Sequence, residues 1–329
     1  MSGHNIVTIG VSADGLDALK TIVSNLPADF PAAVFIVRHI GAGGKRLLVD
    51  ILNRSGPLRA FYPKDRDPIH PGRIYVAPPD HHLSIEDGCV RVTHGPKENR
   101  HRPSVDVLFR SAALAYGAKV VGIVLTGNLN DGTAGLFAIK QCGGVAVVQD
   151  PAEAPCSSMP RSAMERVRVD HCLPVSGIAP LLLTLVSDPA NEDCPAPSEM
   201  ETEVKIATGE ITDLEAIEKF GKPSEFTCPQ CQGVLWELND KDLLRFRCKS
   251  GHAYLAEGLC EEQSDVEEDI LWEAFRALEE GAALARRIAE SERERSRAES
   301  AMLFEESAQK KEQRALMIQR MLLEDELSS

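Results

Sequence analysis

A chain of 329 residues, 43% apolar and 26% charged, is long enough for two or three folded units, and no apolar run approaches the roughly 20 residues that a membrane helix needs. The net charge of −14 is lopsided: residues 1–190 carry 19 basic against 17 acidic groups and the rest 17 against 33, so the second half repels phosphate backbones and nucleic acid is excluded as its partner. The start, MSGHNIVTIG, has no basic patch leading into an apolar segment, and nine cysteines, an odd number, argue against a disulfide framework; we expect a cytoplasmic chain without membrane insertion.

The opening part alternates short β-branched runs with amphipathic stretches, the pattern of a parallel sheet covered on both faces. Strands are expected at Asn5 to Gly10, Ala33 to Arg38, Arg73 to Ala77, Val120 to Thr126 and Ala146 to Gln149. Helices are expected at Leu16 to Leu26, Lys45 to Asn53, Val105 to Tyr116, Gly132 to Cys142 and Ile178 to Val186. His82 to Ile85 and Val90 to Thr93 flank Glu86-Asp87-Gly88, which reads as a hairpin. Cys89, Cys142 and Cys172 lie in or beside apolar stretches and read as small buried hydrophobes. The first domain is expected at 1–187, closed by the proline-rich DPANEDCPAPS, within a linker at 188–223. A cysteine-bearing module follows at 224–260 and a helical tail at 261–329.

In an open α/β sheet ligands bind beyond the carboxyl ends of the strands. Ser12 follows the first strand in IGVSADG, His39 the second in FIVRHIG, and Asp131 a later one in GIVLTGNLNDGTAG. A serine hydroxyl needs an imidazole to take its proton and a carboxylate to fix the imidazole tautomer, and these three residues supply that set. Free N–H groups of the helix after Ser12 are candidates to stabilise a tetrahedral oxyanion. Singly, each residue also fits a plainer role: Ser12 as N-cap of the first helix, His39 as a satisfied strand-end histidine, Asp131 as N-cap of the helix from Gly132. The turn from Gly10 to Gly15 could cradle a nucleotide phosphate, but it does not fit G-x-G-x-x-G.

IGVSADGLDAL, VRHIG, PGRIYVAPPDHHL, HRPSVDVLFRSAA, VLTGNLNDGTAGL, GGVAVVQDP and MPRSAM follow one another in an order and spacing that resembles the CheB-type protein-glutamate methylesterase domain over about residues 5 to 186. The resemblance implies a doubly wound parallel α/β fold, Ser12, His39 and Asp131 as the catalytic triad, and hydrolysis of glutamate γ-methyl esters on methylated chemoreceptor-like proteins with release of methanol. It implies no cofactor for catalysis. Two departures stand out: Ala13-Asp14 replaces the usual small or glycine-rich turn, and Asn128-Leu129 the usual Met-Gly. A carboxylate near the oxyanion would oppose the developing charge, whereas Asp14 as a helix cap would lie away from it. The alternative function is therefore a catalytically weakened CheB-like binding or regulatory module in a signalling complex. Well-known members also carry an N-terminal receiver domain; here the hydrolase begins the chain, so that phosphorylation switch is expected to be absent.

Cys228-x2-Cys231 and Cys248-x3-His252, with sixteen residues between the pairs, form a ligand set suited to tetrahedral zinc. Four protein ligands leave no open position, so the expected zinc is structural. A redox Cys-x-x-Cys would not account for the second pair. Val234 to Glu237 and Leu243 to Arg247 flank Asn239-Asp240 as a hairpin, and the module resembles the zinc-ribbon-like segment that follows some stand-alone CheB-like domains. Ser264 with Glu267 reads as a capping box opening a long C-terminal helix, about 60 residues and on the order of 90 Å if continuous. Its apolar stripe suits a homodimer seam or a helical signalling partner. Glu279-Glu280 and Glu305-Glu306 loosely resemble the paired sites such esterases act on, which would make the tail an autoinhibitory mimic; a plain packing stripe is the simpler reading.

Overall fold

The computed structural model describes residues 4–12, 14–41, 46–190, 194–210, 218, 221–238 and 242–325. Strands β1 (Ile6–Val11), β2 (Ala33–Arg38), β3 (Arg59–Phe61), β4 (Arg73–Val76), β7 (Val120–Val124), β8 (Val145–Gln149) and β9 (His171–Leu173) form one seven-stranded sheet in the order β3-β4-β2-β1-β7-β8-β9, with every pairing parallel. Between β4 and β7 the chain makes the expected antiparallel hairpin, β5 (His82–Glu86) and β6 (Cys89–Thr93).

The period-2 alternation of β1 sorts its side chains onto two cores. Val7, Ile9 and Val11 pack with helices α1 (Leu16–Ser24), α2 (Leu48–Ser55) and α6 (Val175–Leu185), while Ile6 joins the opposite core with α3 (Val105–Tyr116), α4 (Thr133–Gln141) and α5 (Ser158–Arg166). Both faces being covered, the strands read as continuous β-branched runs. The edge strands β3 and β9 and helix α5 were not anticipated: the strands have three residues each, and α5 carries Pro160 in its first turn. Pro is tolerated there because first-turn N–H groups lack intrahelical partners. Cys142 is buried as expected, Cys89 is half-buried, and Cys172 is exposed on an edge strand.

The stretch read as a linker holds helix α7 (Ser198–Ala207), whose Met200, Glu203, Ile206 and Ala207 are buried. A second sheet follows, antiparallel and four-stranded: β10 (Gly221–Thr227), β11 (Val234–Leu238), β12 (Arg245–Cys248) and β13 (Ala253–Leu255), in that order. The expected Asn239-Asp240 turn lies outside the described residues.

Compactness divides the chain into residues 1–259 and 260–329. The second unit differs from the single long helix expected. Helix α8 (Ala256–Glu294) already runs through Ser264, whose hydroxyl donates back to the Cys260 carbonyl at 3.1 Å instead of capping a new helix. Ser296, with φ of 59°, breaks the helix, and α9 (Ala298–Asp325) returns as the other arm of a hairpin. Its seam is alanine-rich, with Ala282, Ala285, Ala289, Ala301, Ala308 and Ala315 buried, and Arg293–Glu305 at 2.6 Å and Arg286–Glu312 bridge the arms. Among the described residues no helix is long and apolar enough to cross a membrane.

Candidate active site

β1 lies between β2 and β7, where the direction of winding reverses, and the crevice beyond the carboxyl ends of these strands is the expected ligand position. Val11 pairs with Arg38 at the end of the β1–β2 register, so Ser12 and His39 are the next residues beyond it. Ser12 N–H donates to the Thr126 carbonyl at 3.0 Å and His39 N–H to the Val11 carbonyl at 3.1 Å, which fixes both backbones at the sheet edge. Gly127 brings the β7 loop against them. A Cβ there would fall 2.7 Å from Ser12 Cβ and 2.2 Å from Met159 Sδ, so a larger residue cannot enter without displacing the serine.

Asp131 is fully buried, and six donors converge on its carboxylate. Oδ2 accepts from His39 Nε2 and from Val105 N–H, both at 2.7 Å. Oδ1 accepts from Ser104 Oγ at 2.8 Å, the N–H groups of Asp106 and Gly132 at 3.1 Å, and Asn99 Nδ2 at 3.2 Å. Asp131 does not cap its own helix: the N-cap of α4 is Gly132, and the carboxylate instead receives the free N–H groups at the start of α3. Ser104, the N-cap of α3, turns its hydroxyl to Asp131 for the same reason. Burial opposes ionisation of Asp131, but the hydrogen bond and charge of His39, helped by His101 and the Val105 N–H, hold its carboxyl well below the usual range. The nearby Asp106 is pushed up to about 8, first by burial and then by the charge of Asp131.

In the neutral form of His39, with Nε2–H given to an ionised carboxylate, the lone pair falls on Nδ1, which is buried and has no hydrogen-bond partner among the described residues. The His101 ring stacks on His39 with centroids 3.6 Å apart and planes 12° from parallel. Burial, then the proximity of His39, pushes His101 down to about 3, so a neutral ring backs His39 at neutral pH. A crevice of about 260 Å³ opens beside the pair, lined by His39, Asp80, Lys97, Arg100, His101 and Arg102.

Ser12 is not the N-cap of α1; that position is Gly15, without a side-chain hydrogen bond, so Asp14 does not cap the helix either. Asp14 is exposed, has φ of 53°, and its carboxylate lies 3.8 Å from Cys156 Sγ. Asn128 is exposed, and Leu129 adopts φ of 65°. The two departures from the glycine-rich loops thus leave non-glycine residues in left-handed backbone, a conformation that costs about 1–2 kcal/mol for a side-chain-bearing residue.

The second candidate constellation is also assembled. The ligand atoms of Cys228, Cys231, Cys248 and His252 all lie within 4.8 Å of one another. Cys231 Sγ is 3.6 Å from Cys248 Sγ, and His252 Nδ1 is 3.6 Å from Cys228 Sγ and 3.4 Å from Cys248 Sγ. A tetrahedral zinc with ordinary bond lengths would have S–S edges of about 3.8 Å and S–N edges of about 3.5 Å, so the donor set fits that ion. Two tight turns present the ligands: Cys228 N–H bonds the Gly233 carbonyl at 2.7 Å, and Cys248 N–H the His252 carbonyl at 2.9 Å.

A doubly wound parallel sheet carrying a serine, a histidine and a buried aspartate at its carboxyl edge defines the class, an α/β domain with its candidate site where the winding reverses. Comparison with known proteins narrows it. The profile of the family described as CheB methylesterase matches residues 7–182, and the chain belongs to that family. A Leptospira interrogans relative, whose name proposes protein-glutamate methylesterase and protein-glutamine glutaminase activities, is 42% identical over 183 residues, which are 55% of this chain and 95% of the relative. The Escherichia coli K12 protein-glutamate methylesterase/protein-glutamine glutaminase is 34% identical over 191 residues, 57% of this chain and 54% of that protein. The crystal structure of the Thermotoga maritima CheB methylesterase catalytic domain matches with a TM-score of 0.54 and 34% identity, covering 56% of this chain and all of that one.

Proposed function

We propose that the α/β domain is a protein-glutamate methylesterase working through Ser12, His39 and Asp131. The observation that carries this reading is the 2.7 Å bond from His39 Nε2 to a six-donor Asp131, on a histidine at the same register position as Ser12, one strand away. His39 Nδ1 takes the Ser12 proton as Oγ attacks the γ-carbonyl; the proton then leaves with methanol, and water hydrolyses the acyl-serine by the same route. Relative to serine proteases the imidazole is turned over, with Nε2 toward the carboxylate. The substrate is a methylated glutamate on a chemoreceptor-like helical protein, and the Lys97 and Arg100 rim of the crevice complements an acidic helix. Methanol release from a peptide carrying a glutamate γ-methyl ester, with fluorophosphonate labelling, tests it. Ser12 is expected to be labelled and Ser12→Ala to lose release by about 10⁴-fold; near-normal release by folded Ser12→Ala protein sinks the mechanism.

We further infer one structural zinc per chain on Cys228, Cys231, Cys248 and His252, because this donor set closes on itself. Metal analysis of protein purified without chelator is expected to give one equivalent; a Cys228–Cys231 disulfide with little zinc reverses the reading. The helical hairpin, which among the described residues presents no nucleophile constellation, serves recruitment or self-association in a cytoplasmic signalling assembly.

A further inference from the structure

We propose that Asn99 is a positioning residue through which the Cys/His module holds the His39–Asp131 pair, so that the integrity of the metal site sets turnover; this rests on the methylesterase reading above. The side chain of Asn99 stands between the two. On its outer side Oδ1 accepts from Leu255 N–H at 3.1 Å, and the Asn99 N–H donates to the Ala253 carbonyl at 2.8 Å. On its inner side Nδ2 donates to Asp131 Oδ1 at 3.2 Å and to Asp106 Oδ2 at 2.6 Å. One amide therefore takes a hydrogen bond from the module and passes one to the carboxylate that orients His39. Two residues on, His101 stacks against His39.

The contact is specific to the metal-binding turn. Ala253 adjoins His252, and Arg247 adjoins Cys248. Arg247, with no exposure at all, donates through Nη1 to the Gly251 carbonyl inside that turn and through Nη2 to Glu98 at 2.8 Å. Glu98 precedes Asn99 and is also gripped by Arg110, both oxygens at 2.8 Å, while Glu203 from α7 accepts from Arg245 at 2.9 Å and Arg247 at 3.1 Å. Asn99 and Arg100, φ 47° and 71°, are the central residues of a tight turn closed by Glu98 N–H to the His101 carbonyl at 3.2 Å and His101 N–H to the Glu98 carbonyl at 2.9 Å. From the module side this turn is held by the backbone of β13 and by the Arg247–Glu98 pair, which adjoin the Cys248–His252 turn, and from the α/β side Arg110 holds Glu98. Opening the Cys248–His252 turn removes the module's hold on Asn99, and Asp131 then loses one of the four donors on Oδ1. Asn99 is 5% exposed and does not line the crevice, so for the Asn99 variants the effect falls on the chemical step.

The test uses the zinc-loaded full chain, a γ-methyl-ester glutamyl peptide, and wild type, Asn99→Ala and Asn99→Asp, each with and without a chelator. Methanol release gives kcat and KM, and the downfield proton resonance of the His39–Asp131 hydrogen bond reports the pair directly. Expected are a 10- to 100-fold fall in kcat with KM within twofold for either variant, a similar fall for chelated wild type, a displaced resonance in each case, and little further loss when Asn99→Ala is chelated. Asn99→Asp retains the shape and the Leu255 acceptor, and chelated wild type needs no variant, so a misfolded Asn99→Ala does not spoil the experiment. The proposal is overturned if chelation leaves the resonance and kcat of wild type unchanged, or if chelation and Asn99→Ala multiply in full. Should zinc-loaded wild type release no methanol, the methylesterase reading fails, while the resonance still decides whether the module reaches the pair.

Discussion

In the α/β domain, β1 and its neighbours β2 and β7 are buried almost end to end between two aliphatic cores, each with more than twenty side chains. In the Cys/His module the apolar cluster amounts to Leu235, Phe246, Tyr254 and Leu259 around Cys228 and Cys248. At about 25 cal/mol per Å² of apolar surface, the first holds itself together with residues remote from its chemistry; the second cannot, and its ligands are also its core. Side chains at the rim of the sheet are therefore replaceable without unfolding, while the sulfur ligands are not.

The largest effect expected sharpens this contrast. Ser12→Ala and His39→Ala should each lower methanol release by about 10⁴-fold, and Asp131→Asn by a comparable factor through loss of tautomer control, with circular dichroism and Tm of the serine and histidine variants near wild type. A Tm loss above about 10 °C in Ser12→Ala would break the contrast.

Next, Cys248→Ser or zinc removal should melt the module and leave the parallel sheet folded. Trp236 lies on β11, so its emission in a Trp272→Phe background reads the module alone. A single shared transition at unchanged midpoint would contradict this.

Between the two regions, Glu203→Gln should cost about 3 kcal/mol, because it removes the buried carboxylate that Arg110, Arg245 and Arg247 share and leaves Arg247 with Glu98 alone. Burial disfavours the charges of Glu98 and Glu203, but the facing arginines prevail and both carboxyls sit below their usual range. Their contribution is thus full above the unfolded carboxylate pKa of about 4.3 and is lost as pH falls below it. Urea titrations from pH 7 to 3 should show wild type losing stability faster than Glu203→Gln; parallel curves would remove Glu203 from the account.

The smallest effect concerns the serine loop. Asp14→Gly relieves left-handed strain and removes a negative charge two residues from Ser12, so turnover should rise by up to about tenfold. An unchanged rate would leave Asp14 as a neighbour of Cys156 without bearing on the oxyanion.

Long, periodic, apolar elements were legible in the sequence. Val105–Tyr116 falls where its periodicity predicts, and β2 runs over the expected Ala33–Arg38. Ser12, His39 and Asp131 were legible as strand-end residues, although the converging donors on Asp131 were not. Asn99, His101, Glu98 and Arg247 escaped because polar residues in a loop or strand look solvated until distant chain covers them, and Arg247 meets Glu98 across 149 positions. The HRPSVDV segment did carry a signal, since His101 opens it. Ser264 and Glu267 matched a capping pattern, but a helix already running from Ala256 makes an internal serine bond back to its own turn.

The two outer strands of the parallel sheet, Arg59–Phe61 and His171–Leu173, are only three residues long. A flat, extended rim would offer its unpaired N–H and C=O groups as a template for strands of other molecules. Here each rim offers about one hydrogen-bonded repeat before the chain turns away, too little to nucleate edge-to-edge growth. A domain so rich in Val and Ile thus exposes little strand edge through which copies of itself could pair.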